Sequence, residues 1–453
     1  MNAAAAVVGD ERTIAAVATT IGRGALALIR ISGPDAGRIA TRLLDPAPTH
    51  PRHATYCQVR DTSGRTIDDV VATYFPGPHS FTGEDLLEIS THGGLIVPMA
   101  VLAAAIHNGA REAEPGEFTR RAVLNGKLDL LQAEAIGDLV DARSSAGHYL
   151  ALRQLDGGLS RRILALREQL LLLEALLAYD IDFPEEDDGP IPRARIIESA
   201  EELLAALDIL LLSGEQGALV HEGALVVLAG APNVGKSSLF NALLGEARAI
   251  VTEIPGTTRD AIEAVLDFPG WPLRLVDTAG MHDTADVVER LGIETSSRYL
   301  ARAAIVLGCI DSLAALDTIP LLREHTRAPI IVVATKADLV PESVKSVADI
   351  SVSAHTGEGL GSVLTMIEAR LAIERGIPLL DAPVLTRTRH RVAVERATNE
   401  MRQFLTAWRD HALPASVSAT HVRGAAEALS ELIGVVHVDD VLDVVFRNFC
   451  VGK

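Results

Sequence analysis

The spacing of apolar positions along the chain changes character from region to region. From Thr13 to about Lys127, short β-rich runs such as 25–31 and 70–75 alternate with Gly/Pro turns, and one helical stretch lies near 97–106. That is the pattern of an α+β domain. From Leu128 to about Leu212 the text becomes rich in Leu and Ala at helical spacing, as in Ile163, Leu166, Leu170, Leu173 and Leu177, broken by an acidic loop over 184–192. At Ala224 a fully apolar run, Ala-Leu-Val-Val-Leu-Ala, predicts a buried parallel strand. Similar runs at 273–276, 304–310 and 330–334, each followed by a loop and a helical segment, predict a doubly wound sheet. Beyond Gly376 the helical spacing returns, over 388–409 and 421–449. The expected fold class is multidomain α/β and α+β. An N-terminal domain covers 1–127, a helical domain is split between 128–220 and 377–453, and an α/β domain over 221–376 is inserted into it.

Composition narrows the function classes. A chain of 453 residues exceeds the size at which one core keeps growing. With 48% hydrophobic and 22% charged residues it matches ordinary globular usage, which argues against a disordered chain or a membrane channel. The 41 basic and 60 acidic residues give a net charge of −19, so diffuse attraction to phosphate backbones cannot bring this protein to a nucleic acid. A local basic patch or a partner would have to do so. The cluster Arg387, Arg389, His390 and Arg391 is a candidate contact of that kind, with a solvated helix face as the equal alternative. Cys57, Cys309 and Cys450 form no Cys-x-x-Cys pair, which disfavours structural zinc and fits a reducing, cytoplasmic setting. The longest stretch without Asp, Glu, Lys or Arg, 89–110, contains His92, Gly93, Gly94, Pro98, His107 and Asn108 and makes a poor membrane span. No secretory signal is evident in the first residues, so a soluble, unprocessed chain is expected.

The densest chemistry begins at Gly230. Gly-Ala-Pro-Asn-Val-Gly-Lys-Ser fits Gly-x-x-x-x-Gly-Lys-Ser/Thr between a predicted strand and a predicted helix (238–244), the context a phosphate loop needs. Asn233, Val234, Gly235, Lys236, Ser237 and Ser238 would line the phosphates, with Lys236 reaching the β/γ oxygens and the Ser237 hydroxyl ligating Mg2+. Thr252-Glu253-Ile254-Pro255-Gly256-Thr257-Thr258 occupies a connection of suitable length, and Thr258 is the expected second Mg2+ ligand. Asp277-Thr278-Ala279-Gly280 follows an apolar strand, as an element sensing the third phosphate should. Thr335-Lys336-Ala337-Asp338 ends another strand. Its carboxylate can accept from N1–H and N2–H2 of guanine, a donor pair that adenine lacks, so GTP is favoured over ATP. G domains usually carry Asn where this chain has Thr335, while Lys336 and Asp338 match; Ser353-Ala354 supplies the last base-contacting loop. The residue after Gly280 is Met281, so no glutamine orients water from that position. Asn233 either stabilises the turn or holds a monovalent cation where an arginine finger would otherwise neutralise charge.

Several further motifs belong together. They are Gly22-Arg-Gly with Leu28-Ile-Arg-Ile-Ser-Gly33, Ser80-Phe-Thr-Gly-Glu-Asp85, Glu88 with His92-Gly-Gly94, Pro115-Gly-Glu-Phe-Thr119, Asn125-Gly-Lys-Leu-Asp129 and the ending Phe449-Cys-Val-Gly-Lys453. With the inserted G domain, they make the chain resemble the MnmE (TrmE) family of tRNA-modification GTPases from near Thr13 to its last residue. The resemblance implies an N-terminal folate-binding and dimerising domain. It also implies a homodimer that forms a heterotetramer with an FAD-dependent partner of the MnmG/GidA type, acting on C5 of the wobble uridine of certain tRNAs with no membrane involved. The carbon source would be a tetrahydrofolate derivative, 5-formyl or methylene. By matching motif, Asn233, Thr252, the Ile254 carbonyl and Thr257 would ligate K+, and Ser237 and Thr258 would ligate Mg2+. Glu289 would orient the attacking water, although by spacing alone it is an ordinary helix residue beside Arg290. Arg30, Glu88, Lys127 and Lys453 match the folate positions; taken singly they also read as an ion pair, a solvated strand residue, a cap contact and a frayed terminus. Cys450 is either a thiol contributing to catalysis or a small buried residue. The rival reading is a GTPase of the ribosome-assembly type, for which no KH-like Gly-x-x-Gly loop follows the G domain.

Overall fold

The computed structural model describes residues 12–182, 192–246, 249–250, 262–268, 271–277, 297–376, 381–410, 414–434, 445–446 and 449–452. Two compact units result, one formed by Met1–Gly137 with Ser430–Lys453 and the other by Asp138–Leu429.

The first unit is built on a seven-stranded sheet in the order β3-β4-β5-β6-β2-β1-β7. Its strands are β1 (Ile14–Val17), β2 (Gly22–Ser32), β3 (Leu44–Asp45), β4 (Thr55–Arg60), β5 (Thr66–Phe75), β6 (Leu86–Gly94) and β7 (Arg111–Glu112). The neighbours are antiparallel except β1 and β7, which are parallel. Period-two alternation decides which side chains go where. Ile29, Ile31, Leu87 and Ile89 turn to the face covered by helices α1 (Ala36–Leu43) and α2 (Val97–His107). Ile14, Ala16 and Leu86 turn to the other face and meet Phe118 of α3 (Glu117–Leu124).

The C-terminal residues belong to this unit. Val451 bridges Pro115, and the Gly116 N–H donates to the Cys450 carbonyl at 3.3 Å. Gly116 has φ 69, and a Cβ there would stand 2.9 Å from Phe449 Cβ; a Cβ on Gly452 would stand 2.7 Å from Ala18 Cα. Only glycine allows these close approaches.

The second unit joins helices to a seven-stranded sheet in the order β14-β13-β12-β8-β11-β10-β9. These strands are β8 (Ala224–Gly230), β9 (Ala249–Ile250), β10 (Ile262–Leu266), β11 (Leu273–Asp277), β12 (Ile305–Ile310), β13 (Ile330–Ala334) and β14 (Ile350–Ser351). All run parallel except β10, which is antiparallel to β11 and β9. The central strands are apolar throughout because both faces are covered. The fold is therefore multidomain α/β and α+β, with a P-loop domain inserted into a helical domain and, earlier in the chain, an α+β domain.

The helical part contains α4 (Leu130–Asp141), α5 (Ser145–Leu155), α6 (Gly158–Asp182), α7 (Arg193–Glu222) and the helices Thr388–Arg409 and Ala415–Ile433. On α6 the predicted stripe Ile163, Leu166, Leu170, Leu173 and Leu177 is buried. The helical text expected over 421–449 forms one helix as far as Ile433, where Gly434 at φ 74 supplies the left-handed residue that terminates helices; residues 445–446 are helical again, and 435–444 lie outside the described residues. Among the described helices, α7 is long and apolar enough to cross a membrane by length and composition, with mean hydropathy 1.6. It packs instead against α6 and Thr388–Arg409 through Ile196, Ala200, Leu203, Leu207 and Leu210, and its Asp208 and Glu201 pair with Arg402 and Arg409. At the edge of the bundle, α5 is capped by the inserted sheet. The Ser145 N–H and hydroxyl donate to the two carboxylate oxygens of Asp267 at 2.8 and 2.6 Å, just past the end of β10.

Candidate functional site

The sequence motifs of the α/β domain meet at the carboxyl ends of β8, β11, β12, β13 and β14, where open parallel sheets bind ligands. The loop from Gly230 to Gly235 connects β8 to α8 (Lys236–Glu246). Gly230 has φ 146, and a Cβ there would sit 2.4 Å from the Cys309 carbonyl oxygen on β12, so the motif's first glycine is fixed by sterics. Asn233 is left-handed at φ 61 without being glycine, and its side chain is exposed. Val234 is buried as a plug, while Ser237 and Ser238 are exposed on the first turn of α8, whose free N–H groups create an anion-attracting end. Lys236 is only 5% exposed; its ammonium donates to the carbonyls of Gly230 (2.9 Å) and Ala231 (2.8 Å), and burial lowers its pKa. Asp277 is fully buried at the end of β11, and its charge acts on Lys236.

The base-reading loops are tied to this cradle. The Thr335 hydroxyl is buried, donates to the Val234 carbonyl and lies 3.1 Å from the Ile310 carbonyl, so it joins the phosphate loop to the sheet where Asn is usual. Lys336, left-handed at φ 55, donates its ammonium to the Asn233 carbonyl at 2.8 Å and to Asp311 Oδ2 at 2.7 Å. Asp338 is exposed, and its Oδ1 accepts from the Ser353 hydroxyl at 2.7 Å, a bond that holds its carboxyl below the usual range. Ala354 follows on the same loop. Thr252, Glu253, Ile254, Pro255, Gly256, Thr257, Thr258, Thr278, Ala279, Gly280, Glu289 and Lys453 lie outside the described residues.

In the N-terminal unit, Arg30 and Glu88 are register partners across β2 and β6 and form an ion pair, Nε to Oε1 at 2.9 Å. The Arg30 guanidinium also lies 5.4 Å from the centroid of Phe81. Lys127 donates to the Pro78 carbonyl at 3.0 Å, so it and Arg30 flank one loop, 78–84. That loop is anchored by charge. Glu84 accepts from Arg121 at 3.1 Å and from the Ser32 hydroxyl at 2.8 Å, and Arg121 also reaches Glu117 at 2.9 Å. Arg111 donates to the same Glu117 at 2.5 Å. Burial pushes the Glu117 carboxyl up, but its bonds from Arg111, the Glu114 N–H and Arg121 outweigh that and hold it below the usual range. Cys450 is exposed, which removes the buried reading of that thiol. Among the described residues no group of three or more His, Cys, Asp or Glu could hold a metal ion.

Comparison with known proteins settles the kinship. Residues 13–127 match the family model described as the GTP-binding protein TrmE N-terminus, and residues 130–450 match the MnmE helical domain. The chain belongs to the MnmE family of tRNA-modification GTPases. The tRNA modification GTPase MnmE of Azoarcus sp. (strain BH72) is 42% identical over 97% of this chain and 98% of its own. The protein of the same description from Moorella thermoacetica is 39% identical over 98% and 100%. The G domain of an iron transporter from T. maritima aligns with 32% of this chain and 98% of its own at 28% identity, with a TM-score of 0.26.

Against the family's motifs, the structure brings Asn233, Lys236, Ser237, Asp277, Thr335, Lys336, Asp338 and Ser353 to the carboxyl end of the sheet. The basic cluster is divided, with Arg391 exposed on its helix. Arg387 pairs with Asp138, and His390 is fully buried. Residue spacing missed Asp311, Glu84, Glu117 and Arg121, although Glu84 and Glu117 stand inside two of the quoted motifs.

Proposed function

We propose that this member of the MnmE family is a K+-stimulated GTPase. With an FAD-dependent partner it modifies C5 of the wobble uridine of certain tRNAs with an aminomethyl-type group, commonly carboxymethylaminomethyl, using a tetrahydrofolate one-carbon unit. The observation that supports the GTP half most is the meeting of separate motifs at the carboxyl end of one sheet, with Asn233 exposed and left-handed on the phosphate loop. Lys236 would exchange its two loop carbonyls for phosphate oxygens. Ser237, exposed at the start of α8, would ligate Mg2+ together with Thr258, with buried Asp277 facing the metal's water shell; when bound, the ion neutralises phosphate charge. The Asn233 side-chain oxygen, with Thr252, Ile254 and Thr257, would hold K+. Asp338, kept ionised by Ser353, would accept the guanine N1–H and N2–H2 protons. Glu289 would orient water.

Arg30, Glu88 and Lys127, joined by Lys453, would hold the folate. A carboxylate reads the pterin edge and cations take the glutamate tail. Exposed apolar residues of the same unit, Ile21, Leu26, Leu95, Ile96 and Met99, support a second copy as partner, and the flavoprotein would complete a heterotetramer. This reading keeps the domains at 1–127, 128–220, 221–376 and 377–453 and places the work in the cytoplasm.

Two measurements test it. Mass analysis of wobble uridines in tRNA from cells lacking this gene should show the modification gone; unchanged tRNA would sink the assignment. GTP turnover should be faster in K+ than in Na+ at equal ionic strength, and Asn233→Ala should abolish that difference. Equal rates in the two salts would remove the cation site.

A further inference from the structure

We propose that Asp311 is a positioning residue of the nucleotide site, acting through Lys336 to hold the phosphate loop at Asn233. The proposal rests on reading that loop as the GTP cradle. Its basis is a clasp between two strained residues. Asn233 and Lys336 are two of the three non-glycine residues with positive φ among the described residues, and they are bonded to each other. The left-handed region costs free energy for any residue with a Cβ, so such conformations persist only where neighbours over-determine them.

The neighbour that does so here is Asp311, the first residue past β12. Its Oδ2 accepts from the Lys336 ammonium at 2.7 Å, and the same ammonium donates to the Asn233 carbonyl at 2.8 Å. A lysine stem is flexible and its charge is a point. The Asp311 carboxylate fixes where that point lies. The end of β12 therefore supports the phosphate loop twice, through the Cys309 carbonyl packed beneath Gly230 and through Asp311 gripping Lys336.

Thr335 explains why this clasp matters in this chain. Its hydroxyl has one proton, and that proton goes to the Val234 carbonyl. An asparagine amide in its place would offer two donors. With the neighbouring restraint reduced, the charged pair carries more of the connection between the base loop and the phosphate loop. The two loops then move together, and base recognition, loop shape and the orientation of Asn233 are set jointly by this clasp and the Thr335–Val234 bond.

The test uses the full chain with Asp311→Ala and Asp311→Asn. Fluorescent GDP binding should weaken about tenfold in Asp311→Ala, the loss expected for a charge-assisted hydrogen bond. Asp311→Asn, which keeps an acceptor oxygen without the charge, should fall between that variant and the parent. The K+ concentration for half-maximal GTP turnover should rise in the same order. Two results would overturn the proposal: GDP affinity and K+ dependence equal to the parent's in both variants, or a lower Tm of the nucleotide-free protein with affinity and K+ dependence unchanged. A parent whose GDP binding is intact but whose turnover ignores K+ removes the cation site alone, and the graded loss of GDP affinity still decides the role of Asp311.

Discussion

In the nucleotide sheet the central strands are apolar on both faces, and the site lies beyond their carboxyl ends, in loops that offer backbone N–H and C=O groups. In the N-terminal sheet the strands alternate, and the candidate residues Arg30 and Glu88 stand on the sheet face itself, paired across two strands. The first site is shaped by where the backbone can go, the second by which charges face each other. Sites of the first kind depend on glycines and on a few side chains that fix loop conformation. Sites of the second kind depend on pairs whose loss leaves a partly buried charge without its partner.

The largest effect should follow from Arg121→Ala. Arg121 and Glu117 are both nearly buried, so removing the guanidinium leaves Glu117 held by Arg111 and the Glu114 N–H alone and weakens the hold on Glu84, at a cost of about 3 kcal/mol by chemical denaturation. A cost no greater than that of an exposed substitution would break the description of this face as charge-built. The same network has a pH signature. The folded Glu117 carboxyl is held below its ordinary value, so its stabilisation is present above the unfolded carboxylate range and is lost as pH falls toward the folded value. Acid titration of stability should therefore be steeper in the parent than in Glu117→Gln.

Gly230→Ala comes next. Its Cβ would meet the Cys309 carbonyl at 2.4 Å with φ at 146, so the loop must shift; stability should fall by about 2 kcal/mol and GTP turnover should be lost. Turnover at the parent rate would show that the loop is less fixed than its glycines imply. The smallest effect belongs to Asp267→Ala, which removes an exposed cap from α5 and should cost about 1 kcal/mol, seen as a small fall in Tm. Asp267→Asn should recover part of it.

The same contrast explains what could be read before the fold was in view. Strand Ile330–Ala334 and helix Thr388–Arg409 appear where periodicity places them, because an apolar run and a helical stripe are local signals. The phosphate loop was legible for the same reason: its glycines and lysine sit within eight residues, Gly230 to Ser237. The helical text over 421–449 is interrupted after Ile433, because one glycine at φ 74 ends the helix there although the apolar pattern continues. Arg121 and Glu84 are 37 residues apart, and Lys336 and Asn233 are 103 apart; no spacing rule connects them. Family resemblance named Arg30, Glu88 and Lys127. It could not say that Arg121 and Glu117 secure the loop they flank.

The seat of Val451 and Gly452 against Pro115 and Ala18 has a consequence for the order of events during synthesis. The strands of the N-terminal sheet leave the ribosome early, yet the residues that close over Gly116 are translated only after the entire nucleotide-binding unit has been made. A chain halted anywhere before Phe449 carries its first sheet with that seat open. The unit made first is thus the one finished last.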